Sequence, residues 1–343
     1  MILSIDIGGT KVAIATYHVT DSGLKVGHSS RFHTAAAASL VHMIEQHFGG
    51  KLPTIRGVGI GVAGPVRGRQ VRLTNVDWEI DADAISKAIG APVYLLNDLA
   101  AHGYAVPHLA PDHLVTLQQG ERGDGPAVLI AAGTGLGEAV LVWHGDDAAS
   151  GTRTAVSAAH RELQVLPSEG GHATFGPVTK ADLNLAGFLQ ERYDGHVSWE
   201  RVVSGQCGFR NLFDFLRQKG EPASPALLQS LDDRADIGAD IITAASEGEP
   251  IAEKILTWFS HLYGAEAGNL ALKVVATGGV YVGGGIAPRI LPYLMNGPFM
   301  SGFRDKGRFD HLLEQIPVQV ITEPNVALLG AAHYTAAQVR KHK

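Results

Sequence analysis

The sequence predicts an α/β protein made of two similar lobes. Short runs rich in valine and isoleucine alternate with stretches of helical period. A strand, glycine-rich turn, strand unit occurs at Met1 (MILSIDIGGTKVAIATYHV) and returns at Val128 (VLIAAGTGLGEAVLVWHG), so one supersecondary unit looks duplicated. A chain of 343 residues also suits about two domains at roughly 150 residues each.

Each element has its own signal. The first unit reads as a β-hairpin, because an apolar run meets a glycine pair and a second apolar run comes at once. Ala36 to Phe48 has helical period, and GVGIGV, Gly57 to Val62, is a strand. Val93 to Leu96 is a further strand, which ends on Asn97 and Asp98 before a small-residue helical pattern. After the second hairpin, Asp146 to Gln164 is small and polar without a clear period, which reads as a loop or flap. Helices are expected at Phe209 to Gln218, Ile237 to Ser246 and Ile251 to Leu272, and strands at Val280 to Val282 and Val318 to Ile321. Asn325 is placed to cap a closing helix that runs to Val339.

Composition narrows the function classes. Hydrophobic residues make up 45 % and charged residues 18 %, which argues for packed cores and against disorder. The net charge of -6 comes without any basic run, so neither a nucleic acid nor an anionic membrane is the expected partner. Cys207 is the only cysteine, which excludes an intramolecular disulfide or a multi-cysteine metal site and fits a reducing cytoplasm. Cys207 itself reads as a small packed side chain. Asp6 interrupts the first apolar stretch before signal-peptide length, and no run of ~20 apolar residues occurs, so neither export nor membrane insertion is expected.

The glycine turns are the first candidate ligand groups. Gly8-Gly9-Thr10 and Gly133-Thr134-Gly135 could each present backbone N–H groups and a hydroxyl to phosphate. Neither is a P-loop, since GxxxxGK[ST] is absent, and neither suits a dinucleotide fold, since a strand comes next where a helix should open. Each alone reads first as a tight hairpin. Two facing each other, with Asp6 as a magnesium partner through water, would form a nucleotide triphosphate clamp. Gly283-Gly284-Gly285 offers a flat backbone to a base or ribose, or else a plain strand-to-helix turn before Pro288.

Asp98 either caps the helix that starts at Leu99 or stands at a strand end as a carboxylate able to take a hydroxyl proton, with Asn97 binding a neighbouring hydroxyl. Glu169 and His172 flank two glycines. Without HExxH or nearby cysteine they suit hydrogen bonding to a polyhydroxylated substrate better than zinc, although a solvated loop also fits. Ser198 looks like an N-cap and puts Glu200 in a first helical turn, where the dipole alone could account for its charge.

Taken together, IDIGGTKVA, LLNDLAA, GTGLG, EGGHATF, HVSWERVVSG and VYVGGGIAPR, in this order and across nearly the whole chain, closely resemble the bacterial glucokinases of the hexokinase/actin-like ATPase superfamily. The resemblance implies the two-lobed actin-like ATPase (ribonuclease H-like) fold, with duplicated mixed β-sheet domains and a cleft between them. It divides the chain into a small α/β domain, 1–108 completed by a helix at 325–343, and a large one at 109–324. It further implies ATP-dependent phosphorylation of glucose with Mg²⁺, and a homodimer. Asp98 would be the general base, while Asn97, Asp98, Glu169, His172 and Glu200 would hold the sugar. Asp6, Gly8, Gly9, Thr10, Lys11, Gly133, Thr134 and Gly135 would serve the phosphates, and Gly283, Gly284 and Gly285 the adenosine. A kinase for another hexose and a non-catalytic ATP-binding regulator are the alternatives. The chain departs from the related zinc-bearing branch in having a single cysteine, so no zinc is expected, and no DNA-binding helices are expected ahead of IDIGGT. Its loop from Asp146 to Gln164 is long for the family, and Ser168 stands where glycine is common.

Overall fold

A computed structural model describes residues 1–8, 11–21, 23–34, 39–64, 66, 68–72, 78–145, 162–231 and 236–341. The chain forms two compact units, the first comprising Met1–Ala110, Leu163–Pro167 and Glu323–Lys343, the second Pro111–Glu162 and Ser168–Thr322.

The first unit contains β1 (Ile2–Ile7), β2 (Lys11–Thr20), β3 (Gly23–His33), α1 (Leu40–His47), β4 (Gly57–Val62), β5 (Gln70–Arg72), β6 (Glu79–Asp81), α2 (Ala82–Ile89), β7 (Val93–Asn97) and α3 (Asp98–Ala105). Its main sheet has the order β3-β2-β1-β4-β7. The β1–β2 hairpin is antiparallel, whereas β1, β4 and β7 run parallel. Strands buried on both faces read as continuous apolar runs, as ILSIDI and GVGIGV do. Leu40, Met43, Ile44 and Ile85 pack against the sheet in one core cluster. The C-terminal helix covers β4 so closely that a Cβ at Gly59 would lie 2.6 Å from the Ala331 carbonyl oxygen. Ser4 is buried in β1 and donates to the Leu328 carbonyl at 2.7 Å, which removes the penalty for a hydroxyl in the core. The three parallel strands therefore deliver their carboxyl ends together, with Asp6 in register with Gly61 and Val62 with Asn97. Open α/β sheets bind ligands at these ends.

The second unit repeats the plan. It holds β8 (Leu114–Gln118), β9 (Ala127–Ala132), β10 (Leu136–His144), the ends of β11 (Glu162–Ser168), α4 (Lys180–Tyr193), α5 (Gly208–Gln218), α6 (Pro225–Leu231), α7 (Gly238–Ser246), α8 (Pro250–Val274), β12 (Gly279–Gly283), α9 (Leu291–Met295), α10 (Pro298–Arg304), α11 (Asp310–Gln315) and β13 (Val318–Ile321). Strands β10-β9-β12-β13 keep the same antiparallel, parallel, parallel sequence as β2-β1-β4-β7, and β8 adds an antiparallel edge. The duplication read from the two hairpins is thus a duplication of sheets. Helix α12 (Val326–Lys341) returns to the first unit.

Most expected elements appear within one or two residues. The expected helix from Ala36 is seen from Leu40, capped by Ser39, and residues 35–38 lie outside the described residues. Asn325 directly precedes α12, and its Oδ1 accepts from the Arg31 guanidinium at 3.1 Å. Most of the Asp146–Gln164 loop, 146–161, is also outside the described residues. Among those described, no helix is long and apolar enough to cross a membrane.

Four histidines of the first unit, His47, His102, His108 and His333, resist protonation. Burial pushes His47 and His102 down to about 4, and His333, stacked on His108 at 3.4 Å and near Arg340, down to about 3. Between the ordinary histidine value of ~6.5 and these values, the unfolded chain takes up protons that the folded chain refuses. Stability therefore falls as pH falls through that window. Urea midpoints measured from neutral pH downward should decline, and the decline should be shallower in His333→Gln. A midpoint independent of acidification would contradict the burial argument.

Candidate active site

At the end of β7 the two polar residues divide their roles. Asn97, not Asp98, is the N-cap of α3: its Oδ1 accepts from the N–H groups of Leu99 and Ala100 at 3.0 and 3.3 Å, and its Nδ2 donates to the Gly64 carbonyl at 3.0 Å. The capping role considered for Asp98 is thereby corrected, because the extended backbone of Asn97 lets its own side chain reach over the helix start. Asp98 is the first helical residue, and its Oδ1 accepts from the Leu99 N–H at 2.9 Å. Burial raises its pKa, against the N–H contacts that lower it.

Asp6, on the strand two places away, is pushed up to about 6, first by burial and then by the charge of Asp98, while Arg31 acts in the opposite direction. Two partly buried carboxyls therefore meet where three strands end. Arg31 lies on β3, remote in sequence from both acids, and nothing local in the sequence marks it as their counter-charge. The first glycine turn is closed by the Gly8 N–H donating to the Lys11 carbonyl at 2.9 Å. Lys11 opens β2 and is exposed, while Gly9 and Thr10 lie outside the described residues.

In the second unit, Gly133-Thr134-Gly135 is the β9–β10 turn, where the Gly133 N–H donates to the Gly135 carbonyl at 2.9 Å. The loop after Ser204 folds onto it: Gly205 donates to the Gly133 carbonyl at 2.7 Å and Gln206 to that of Thr134 at 3.1 Å. Glu200 joins from beside the turn. Its Oε2 accepts from the Leu136 N–H at 3.0 Å, and a Cβ at Gly135 would lie 2.4 Å from that oxygen. The expected helix start at Ser198 is corrected: Trp199–Arg201 is a single 3₁₀ turn without a side-chain cap, so Glu200 is fixed by a backbone donor of β10 and not by a helix dipole.

The third glycine cluster packs on the same turn. Gly284 has φ +83°, and a Cβ there would lie 2.2 Å from the Ala132 carbonyl oxygen, which also accepts from Ile286 N–H at 3.2 Å. Beyond Gly285 the chain forms the 3₁₀ segment Ala287–Ile290 and the short α9, where the sequence suggested one helix. Tyr263 ties these pieces together: its hydroxyl accepts from the Ala132 N–H at 3.0 Å and stands 3.1 Å from the carbonyls of Ile130 and Gly283. Sequence reasoning missed it, because a tyrosine inside the long apolar α8 reads as core.

Glu169 precedes the 3₁₀ turn Gly170–His172, with its Oε2 3.9 Å from His172 Nε2 and both side chains largely exposed. Ser168 accepts from the Gly170 N–H at 3.0 Å, a bond that a glycine at 168 could not make. A bridge between Thr174 and Ser198, with Phe175 N–H on Val197 O at 2.9 Å and Trp199 N–H on Ala173 O at 3.0 Å, joins this segment to the one carrying Glu200. Among the described residues no group of three histidine, cysteine, aspartate or glutamate side chains could hold a metal ion.

The doubled sheets and paired glycine turns define the actin-like ATPase class. The sequence matches the glucokinase family over residues 3–338. It is 38% identical to a glucokinase of Nostoc punctiforme over 349 residues, covering 97% of this chain and 98% of that one, and 33% identical to a glucokinase of Chromohalobacter salexigens, covering 95% and 94%. The crystal structure of glucokinase from an Antarctic psychrotroph superposes with a TM-score of 0.80 at 30% identity over 98% of each chain. A ROK family glucokinase from Streptomyces griseus, solved in complex with glucose and AMPPNP, shares the fold with a TM-score of 0.63 at 21% identity, over 98% of this chain and 99% of that one. The chain belongs to the glucokinase family.

Proposed function

We infer that this chain transfers the γ-phosphoryl group of ATP to the 6-hydroxyl of glucose, giving glucose 6-phosphate and ADP. The carrying observation is the position of Asp98, a partly buried carboxyl at the end of a parallel strand, in a chain that matches the family from residue 3 to 338.

In this reading, residues 1–108 with 325–343 form one lobe and 109–324 the other. Asp98 accepts the hydroxyl proton as the oxygen attacks phosphorus, which is the only proton the step must move. Asn97 spends one N–H on Gly64 and keeps its second for a sugar oxygen. Glu169, His172 and Glu200 hold the remaining hydroxyls, and exposure of the first two leaves them open to a ligand. The turns at Gly8–Lys11 and Gly133–Gly135 take the phosphates, and Gly283–Gly285 the adenosine. Magnesium fits at Asp6, because a carboxyl pushed up to about 6 by burial and a neighbouring acid gains from a nearby cation. When bound, the ion would offset charge on the β- and γ-phosphates. The free Cys207 suits a reducing cytoplasm, and the family resemblance suggests a homodimer.

ATP consumption against a panel of hexoses, with and without magnesium, tests the reading. Glucose-stimulated ADP release supports it, and turnover indifferent to every sugar would favour a regulator. Glu169→Gln and Glu200→Gln should each weaken glucose binding by about 1–3 kcal/mol, the scale of a hydrogen bond to a charged group. An unchanged glucose KM in both variants would remove them from the site.

A further inference from the structure

Beneath the Glu169–His172 turn lies an acid that the transfer reaction does not use. Glu138 sits on β10 in register with Ile130 and is 0% exposed; no N–H or hydroxyl donor reaches its carboxyl oxygens among the described residues, and its hydrogen-bonding partner is the carboxyl of Glu266. A carboxyl in a core with no basic group on it is costly when ionised. Its surroundings show what it touches. A Cβ at Gly170 would lie 1.8 Å from Glu138 Oε2, and one at Gly171 would lie 2.1 Å from the Leu136 carbonyl oxygen. The two glycines of the turn thus lie directly on β10, and the Glu138 carboxyl fills the space that any side chain at 170 would need.

We propose that Glu138 is a positioning residue for glucose: its carboxyl packs under Gly170 and holds the turn that presents Glu169 and His172. The proposal rests on the sugar-binding role assigned to that turn.

The charged neighbours favour the neutral form. From α8, the fully buried Glu266 faces Glu138, and burial followed by repulsion from Glu266 raises the Glu138 carboxyl well above the usual range. Lys273, also on α8, pulls the other way, but it is half exposed and lies 3.4 Å from Glu266, which Asn269 also contacts at 2.8 Å. Tyr263 is itself pushed up by burial and by Glu138, and so remains a neutral phenol. Lys306 acts on Glu266 from beyond α10. Glu169 and His172, on the turn itself, are largely exposed. Lys273 thus matches one of two buried acids, and a hydrogen bond between the two carboxyls needs a proton on the other, the one under the turn.

The consequence has a definite sign. As pH rises from neutral into the mildly alkaline range, Glu138 loses its proton, a bare charge develops against the Gly170 backbone, and the turn loosens. Glucose KM should then rise with pH, while ATP KM moves little. Glu138→Gln has the same shape and cannot ionise. It should keep the wild-type glucose KM at neutral pH and abolish the alkaline rise, whereas Glu138→Leu should raise glucose KM about tenfold, the scale of one hydrogen bond from the displaced turn to the sugar. The same alkaline rise in Glu138→Gln as in wild type overturns the proposal, as does an unchanged glucose KM in a folded Glu138→Leu. If the leucine variant does not fold, the glutamine profile alone decides. Absence of glucose-dependent turnover in wild type, by contrast, would sink the parent reading.

Discussion

Asp98→Asn should lower kcat by about 10²–10⁴-fold, the usual contribution of a general base, while circular dichroism and the unfolding midpoint stay near wild type. The amide fits the same space and keeps an oxygen for the Leu99 N–H, which Asp98 Oδ1 contacts at 2.9 Å. Helix α3 keeps its start, because the cap belongs to Asn97. The variant therefore removes only the proton acceptor. The pH profile should carry a second mark. Asp98 works when ionised, and burial raises its pKa, so the acid limb of kcat/KM should lie above the ordinary carboxylate range and change shape with the substitution. Asp6, pushed up to about 6, titrates beside it, so the limb belongs to both acids together. Wild-type turnover in Asp98→Asn would remove the base from the mechanism.

Gly284→Ala should destabilise the protein by about 2–5 kcal/mol, combining the strain of a left-handed backbone with overpacking. The position has φ +83°, and the new methyl would sit 2.2 Å from the Ala132 carbonyl oxygen, a backbone atom that cannot swing aside. That carbonyl is also the acceptor for Ile286 N–H, so relief requires the β9 end and the glycine cluster to part. ATP KM should rise with the loss of stability. Gly285→Ala is the control: nothing lies within 4 Å of a Cβ there, and its effect should stay within about 0.5 kcal/mol. Equal thermal midpoints for the two variants would show that the packing of Gly284 on Ala132 does not matter.

These positions also show how far the sequence could be read. The paired hairpins were legible because each strand is locally apolar and each turn locally glycine-rich, and β4 and β13 match their expected bounds for the same reason. Asn97-Asp98 stood out as two polar residues ending an apolar strand, yet which of them caps α3 depended on dihedral angles that composition does not encode. Glu200 was placed in the first turn of a helix, where the chain makes only a 3₁₀ turn; its partner, the Leu136 N–H, lies 64 residues away. Arg31, Tyr263 and Glu138 escaped notice because their meaning arises from contacts across sheets and helices. An arginine in an exposed strand, a tyrosine in a long helix and one acid in an apolar strand each look ordinary until their neighbours are known.

The most direct test is a crystal structure of the chain with glucose bound. A carboxyl oxygen of Asp98 should stand within about 2.6–3.2 Å of the sugar's 6-oxygen, the reach required of a general base. A glucose seated elsewhere, with Asp98 engaged only by the Leu99 N–H and its protein neighbours, would contradict the assignment of this acid to the reaction.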